Sequence, residues 1–225
     1  MPELPEVEVT RRSIAGPLLG AQVVGVRMGK ALRWPLGCAP DHLQGRHIGE
    51  AGRRGKYLWL PMGARPTRAP DDAGGLLIHL GMSGSLALGQ GTWPAGPHDH
   101  FDLETDRGCL RLHDPRRFGA VLWSEGLDRE PAATLLSRLG AEPFDPALTP
   151  ETFHAALKRR RVAIKPLLLA GDIVVGAGNI YACEALFQAG IDPRVLACTI
   201  SKPRAQRLLQ AIRSTLAQAL SLGGS

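Results

Sequence analysis

The sequence predicts an α+β protein in two parts: a β-rich amino-terminal domain opened by one helix, and a basic, helical carboxy-terminal domain. Three observations predict it. Apolar residues recur at helical spacing within the first 20 positions. From about residue 21 to residue 123 they form short strand-like runs between Gly, Pro and Asp clusters. Beyond residue 150 the spacing is helical again and the charge turns basic.

Taken in order, Pro5 stands where a first helical turn tolerates proline, and Val7, Ile14 and Leu18 share a helical face that ends before Gly20. The strand-like runs are Gln22–Arg27, Lys56–Leu60, Leu76–Leu80, His100–Glu104, Cys109–His113 and Ala120–Trp123. Many short strands with turn signals fit either a sandwich or a barrel. Leu127–Pro150 is Pro-rich and reads as a linker around a short helical stretch. Thr149-Pro150-Glu151 then supplies an N-cap, a proline and an early acid, and helices are expected over residues 151–159, 165–170, 179–189 and 203–221. Gly190 and Gly223 stand at C-cap positions. The expected division is 1–130 for the first domain, 131–150 for the linker and 151–225 for the second domain.

Composition narrows the class. The 225 residues are 44% hydrophobic, and no apolar run approaches the roughly 18 residues of a membrane span. The acidic, Pro-interrupted start is unlike a secretory signal, so a cytoplasmic protein is expected. Cys38, Cys109, Cys183 and Cys198 form no C-x-x-C pair, which argues against both a zinc site within this chain and a disulfide framework. Residues 1–150 carry 17 Lys+Arg and 17 Asp+Glu, whereas residues 151–225 carry ten against four, so the net +6 sits entirely in the last third. A polyanion-binding face and a solvated basic helix surface both fit that distribution.

The chemistry starts at the N-terminus. A small second residue permits removal of the initiator Met, leaving Pro2 with a secondary amine. Such an amine, attacking an aldehyde-level carbon, forms an iminium that is cationic without a proton and so acts as an electron sink for elimination. An α-amino group titrates near ~8, so a usable neutral fraction exists at neutral pH. Glu3 and Glu6 place two carboxylates beside it for acid/base work. A frayed, Pro/Glu-rich terminus has the same composition.

Five segments carry a resemblance. They are Pro2-Glu3-Leu4-Pro5-Glu6-Val7-Glu8, Gly55-Lys56-Tyr57-Leu58, Ile78-His79-Leu80-Gly81-Met82-Ser83-Gly84-Ser85, His113-Asp114-Pro115-Arg116-Arg117-Phe118-Gly119, and Val175-Gly176-Ala177-Gly178-Asn179-Ile180-Tyr181-Ala182. In this order they resemble the formamidopyrimidine-DNA glycosylase family along essentially the whole chain. The resemblance implies an N-terminal helix with a two-sheet β-sandwich, followed by a helix–two-turn–helix DNA-binding domain. It implies excision of oxidised purines (8-oxoguanine, formamidopyrimidines) from double-stranded DNA, and strand cleavage at abasic sites by β- and δ-elimination.

The same resemblance implies roles at matching positions. Pro2 attacks C1′ of the damaged nucleotide, Glu3 is the general acid/base at the sugar, and Glu6 supports it. Lys56 engages the lesion's phosphate and assists proton transfer; a strand-edge charge that discourages sheet pairing is the ordinary reading of such a lysine. Met82, Arg116 and Phe118 fill the gap left by an extruded base, two apolar wedges and one hydrogen-bond donor to the orphaned partner. Without the resemblance, Met82 and Phe118 read as core and Arg116 as a surface charge. Asn179 binds phosphate, with the Gly176-Ala177-Gly178 approach and the free N–H groups of the following helix beside it; a helix cap is the plainer reading. His79 and His98 contact DNA, although a lone histidine on a strand is more often structural. Arg161 contacts the backbone, with Lys158, Arg159 and Arg160 adding non-specific attraction.

The chain closes on Leu222-Gly223-Gly224-Ser225, where the family continues into a lesion-capping loop and a four-cysteine zinc finger. Zinc is thus implied for that finger and no cofactor is expected within this chain. A form lacking the finger is expected to keep the Pro2 chemistry and to bind DNA more weakly. The expected partner is duplex DNA bearing oxidised bases or abasic sites. A monomer on the bacterial nucleoid, with no membrane association, is expected. Two alternatives remain: an endonuclease VIII-like glycosylase for oxidised pyrimidines, which Leu4 and the Met82, Arg116, Phe118 set fit less well, and a non-catalytic damaged-DNA binding module.

Overall fold

The computed structural model describes residues 2–68, 74–91 and 93–224, so Ser225, the end of the last run above, lies outside it. Two compact units are present. One comprises Pro2 and the described residues of 7–136; the other comprises Glu3–Glu6 with residues 137–224. The division therefore passes through the first helix, which sequence pattern treats as a single piece.

That helix, α1, runs Leu4–Leu18 with Pro5 in its first turn, where a missing N–H costs no hydrogen bond. Among the described residues nine strands follow: β1 (Val23–Met28), β2 (His47–Ile48), β3 (Gly52–Arg54), β4 (Tyr57–Gly63), β5 (Gly74–His79), β6 (Ser85–Gly89), β7 (Asp99–Thr105), β8 (Gly108–His113) and β9 (Ala120–Ser124). All pairings among them are antiparallel. One sheet has the order β1-β7-β8-β6; the other has β2-β4-β5-β9, with β3 paired to β4. These are two separate sheets, so the sandwich holds and the barrel does not.

Alternation explains the core. Phe101, Leu103, Leu110 and Leu112 from one sheet and Leu58, Leu60, Leu76 and Ile78 from the other form one buried cluster, closed by Val7, Ile14 and Leu18 of α1. The outer face of the second sheet is covered by Leu77, Ala120 and Leu122 packing with Ala132 of helix α2 (Ala132–Ser137).

On the outer face of the first sheet lies a charged row. Register places Arg27, Asp102 and Arg111 side by side across β1, β7 and β8. Asp102 takes two bonds from Arg111 at 2.8 Å and one from Arg27 at 2.6 Å, while Arg111 also donates to the Trp93 and Pro94 carbonyls and stacks 4.3 Å from the Trp93 ring. Burial pushes the Asp102 carboxyl up, but the bonds from Arg111 and Arg27 outweigh it and hold it below the ordinary range. A carboxylate lowered in this way stabilises the fold above its unfolded value of 3.8, and the contribution is lost as pH falls through the folded value. Asp102→Ala strips the buried Arg111 of its two shorter carboxylate bonds and leaves it only the 3.4 Å pair with Asp99, so a loss of about 3 kcal/mol is expected. Urea unfolding measures it, and a midpoint equal to wild type would refute it.

The second unit has its own core. Helices α3 (Pro150–Lys158), α4 (Ile164–Ala170), α5 (Asn179–Gln188) and α6 (Lys202–Leu222) bury Phe153, Leu157, Ile164, Leu168, Tyr181, Leu186, Leu209, Ile212 and Leu216 together. Thr149 caps α3 in a reciprocal pair with Thr152, and Gly223 ends α6 in the left-handed conformation. No helix among the described residues is long and apolar enough to cross a membrane.

Candidate active site

The chemistry-bearing residues fall into two groups, one in each unit. In the helical unit, residues Glu3–Glu6 are fastened to the start of α5. The buried Glu3 carboxylate accepts from the backbone N–H groups of Gly178, Ile180 (2.9 Å) and Tyr181 (3.3 Å). The exposed donors of a helix N-terminus and its dipole both favour an anion there. Leu4 N–H donates to the Gly176 carbonyl at 3.0 Å. Gly176 has φ +100°, and a Cβ at that position would run into the Leu4 side chain, so only glycine permits this approach.

Glu6 completes the arrangement. One of its oxygens accepts from the Glu3 backbone N–H at 2.8 Å, and the other from the Tyr181 hydroxyl at 2.6 Å. The sequence expectation of free N–H groups at the start of α5 is therefore corrected: Glu3 occupies three of them. Nor is Asn179 the cap, since Gly178 holds that position; Asn179 is the first helical residue and its side chain is exposed. Arg161 is exposed as well, and its neighbours differ from one another. Arg160 pairs with Asp172 at 3.7 Å, and Lys158 donates to the Cys198 carbonyl at 2.8 Å.

In the β unit, Pro2 is half-buried, and Lys56 stands with Gly55 in the two-residue turn joining β3 to β4. Arg53, three residues before Lys56, has structural duties. It bonds Glu8 at 3.1 Å and the Gly55 carbonyl at 2.8 Å, tying α1 to the turn that presents Lys56. Glu8 also holds Arg11 and Arg12, so although burial pushes its carboxyl up, these guanidinium groups bring it down to about 2. Sequence reasoning passed over Glu8 and Tyr181. The spacing of Glu8 to Arg11 and Arg12 was a legible signal, whereas nothing local marks the partner of Tyr181.

His79 lies at the end of β5 across from Tyr57, the rings 4.8 Å apart, and its Nδ1 accepts from the Gly81 N–H at 3.0 Å. Burial lowers its pKa, assisted by the charges of Lys56 and Arg33, to about 4. The ring is therefore neutral at physiological pH and orients the turn after β5. Stability from the neutral ring is complete above 6.5 and declines as pH falls from there toward about 4. NMR titration of the His79 ring is expected to give a midpoint near 4, and a midpoint at 6.5 would contradict this environment. His98 is exposed, 5.8 Å from the His113 ring.

Met82, Arg116 and Phe118 sit on two loops that meet. Met82 is 42% and Phe118 43% exposed, and the Arg116 guanidinium lies 4.8 Å over the Phe118 ring. Neither apolar side chain belongs to the core, unlike the plain reading of such residues. Among the described residues no group of three or more His, Cys, Asp or Glu side chains is placed to hold a metal ion. Cys109 is buried in β8 and Cys183 is exposed on α5. The described residues thus do not fit the zinc that the resemblance implies for the finger.

The chain is similar to known proteins over its whole length. Residues 1–121 match the model of the formamidopyrimidine-DNA glycosylase N-terminal domain, and residues 139–225 match that of the family's helix–two-turn–helix domain. A formamidopyrimidine-DNA glycosylase of Albidiferax ferrireducens is 55% identical over 225 residues, covering 100% of this chain and 80% of the relative. The Lactococcus lactis enzyme bound non-covalently to DNA containing an abasic site superposes with a TM-score of 0.88 at 30% identity, covering 99% of this chain and 83% of that one. A variant of the same enzyme in complex with Fapy-dG DNA gives 0.88 at 31% identity, covering 100% and 80%. The chain belongs to the formamidopyrimidine-DNA glycosylase family.

Proposed function

We propose that this DNA glycosylase is bifunctional, excising oxidised purines such as 8-oxoguanine and formamidopyrimidines from duplex DNA and then cleaving the strand at the abasic site through a Schiff base at Pro2. The observation that carries the reading is the seating of Glu3, whose carboxylate is locked on the first turn of α5 while Glu6 braces the same segment. A group held this firmly next to an N-terminal amine suits proton transfer at a fixed point.

In this mechanism the Pro2 nitrogen forms a bond to C1′ as Glu3 delivers a proton to the sugar ring oxygen and the C1′–O4′ bond opens, and the Pro2 N–H proton is then passed to the base. The freed nitrogen lone pair closes the iminium as the C1′–base bond breaks, and the base leaves with that proton. That cation accepts the electron pair released when a C2′ proton leaves, so the 3′-phosphate departs; a second elimination releases the 5′-phosphate. Lys56 engages the phosphate of the lesion and assists proton transfer. Met82, Arg116 and Phe118 fill the space of the flipped nucleotide, Asn179 and Arg161 hold backbone phosphates, and His79 and His98 border the DNA. No cofactor is required by these steps. The enzyme works as a monomer in the cytoplasm, on the nucleoid through its DNA contacts.

The test is borohydride reduction in the presence of duplex DNA with a single abasic site, which bypasses lesion choice. A covalent protein–DNA species resolved by denaturing electrophoresis is expected. Its absence, with DNA binding intact, would leave a damage-binding module in place of an enzyme.

A further inference from the structure

The two loops carrying Met82 and the pair Arg116, Phe118 are fastened to one another by groups to which no role has been given. Asp114 is fully buried between them. One of its carboxylate oxygens accepts from the Ser83 hydroxyl at 2.6 Å and the other from the Gly119 N–H at 2.7 Å. The Arg116 N–H in turn donates to the Ser83 hydroxyl oxygen at 3.3 Å, and the Arg117 N–H to the Asp114 carbonyl at 3.2 Å. Gly81, at φ +65°, lies with its backbone against that of Phe118 and Gly119, where a Cβ would collide. Arg117 itself takes φ +56°, a conformation costly for a side chain of its kind. Such a turn persists only where surrounding bonds over-determine it, and Asp114 supplies those bonds.

We propose that Ser83 and Asp114 are positioning residues that join the two loops into one preformed wedge, so that Met82, Arg116 and Phe118 enter the DNA stack as a unit. The inference rests on the reading of those three side chains as gap-fillers. A side chain that replaces a stacked base must be held before the helix opens, because ordering it during entry adds its lost rotamer freedom to the cost of unstacking. A buried carboxylate shared between a hydroxyl of one loop and an amide of the other holds their spacing through two charge-assisted bonds. Neither residue needs to touch DNA.

The role separates duplex from single-stranded substrate, since only the duplex has a stack to enter. Borohydride trapping rates on one abasic site, single-stranded and paired, give a duplex-to-single-strand ratio for each variant. Ser83→Ala and Asp114→Asn are expected to lower this ratio about tenfold and to narrow the preference among bases opposite the lesion. Ser83→Thr, which keeps the hydroxyl, restores both. A purely structural role would depress both substrates alike, leaving the ratio at the wild-type value, and that result overturns the proposal. The combined Met82→Ala, Arg116→Ala, Phe118→Ala variant tests the underlying reading. A ratio unchanged there overturns both ideas; a ratio lowered there but unchanged in Ser83→Ala overturns the positioning role alone.

Discussion

Replacing Pro2 with glycine is expected to reduce borohydride trapping on an abasic duplex by roughly 100-fold or more, about 2.7 kcal/mol in the barrier. A glycine amine is primary, so its adduct with the sugar is a neutral imine that must gain a proton before it can draw electrons from C2′. The proline adduct is cationic as formed. The pyrrolidine ring also ties the nitrogen to its own side chain, so the amine of the half-buried Pro2 has fewer orientations to lose than a glycine amine would. Binding to the same DNA should change little, and a gel-shift titration provides that control. Trapping at the wild-type rate would mean that another amine carries the covalent step, with Lys56 the first to examine.

Glu3→Gln carries the second largest effect, because the same side chain has two duties. As acid/base it contributes by proton transfer, typically worth 10²–10⁴-fold, so single-turnover base excision on 8-oxoguanine DNA is expected to slow by about that factor. As a cap it accepts from three backbone N–H groups of α5, and an amide of the same shape turns an NH₂ toward donors that cannot accept. Loss of those charge-assisted bonds is expected to cost about 1–3 kcal/mol in stability, read from urea unfolding. The two readouts discriminate. A stability loss with normal excision would make Glu3 only a helix cap and would move the proton transfer elsewhere.

Much of the fold was legible because periodicity is a local property. Helices α3 to α6 of the second unit and six of the strands lie within a few residues of where apolar spacing, prolines and capping residues put them. Three strands were not. His47–Ile48 is two residues long, Gly52–Arg54 is polar and exists through its hairpin with β4, and Ser85–Gly89 is an edge strand with little contrast between its faces. Pairing with a neighbour, rather than pattern, makes each of them a strand.

The site divides in the same way. The order of residues along the chain determined which side chains could do chemistry: a secondary amine at Pro2, carboxylates at Glu3 and Glu6, a lysine in a hairpin turn, and apolar residues in turns where loop tips are exposed. What those groups are bonded to was decided only by the tertiary structure. Glu3 finds its N–H donors 175 to 178 residues away, Glu6 meets the Tyr181 hydroxyl across 175, Arg53 reaches back 45 to Glu8, and Asp114 meets Ser83 across 31. The physical reason is range. Propensity and amphipathic spacing act over one or two turns of chain, whereas a buried carboxylate must satisfy every lone pair with whatever donors the packed chain brings near it. Sequence thus named the candidate groups, and packing determined how firmly each is held and left His79 a neutral ring.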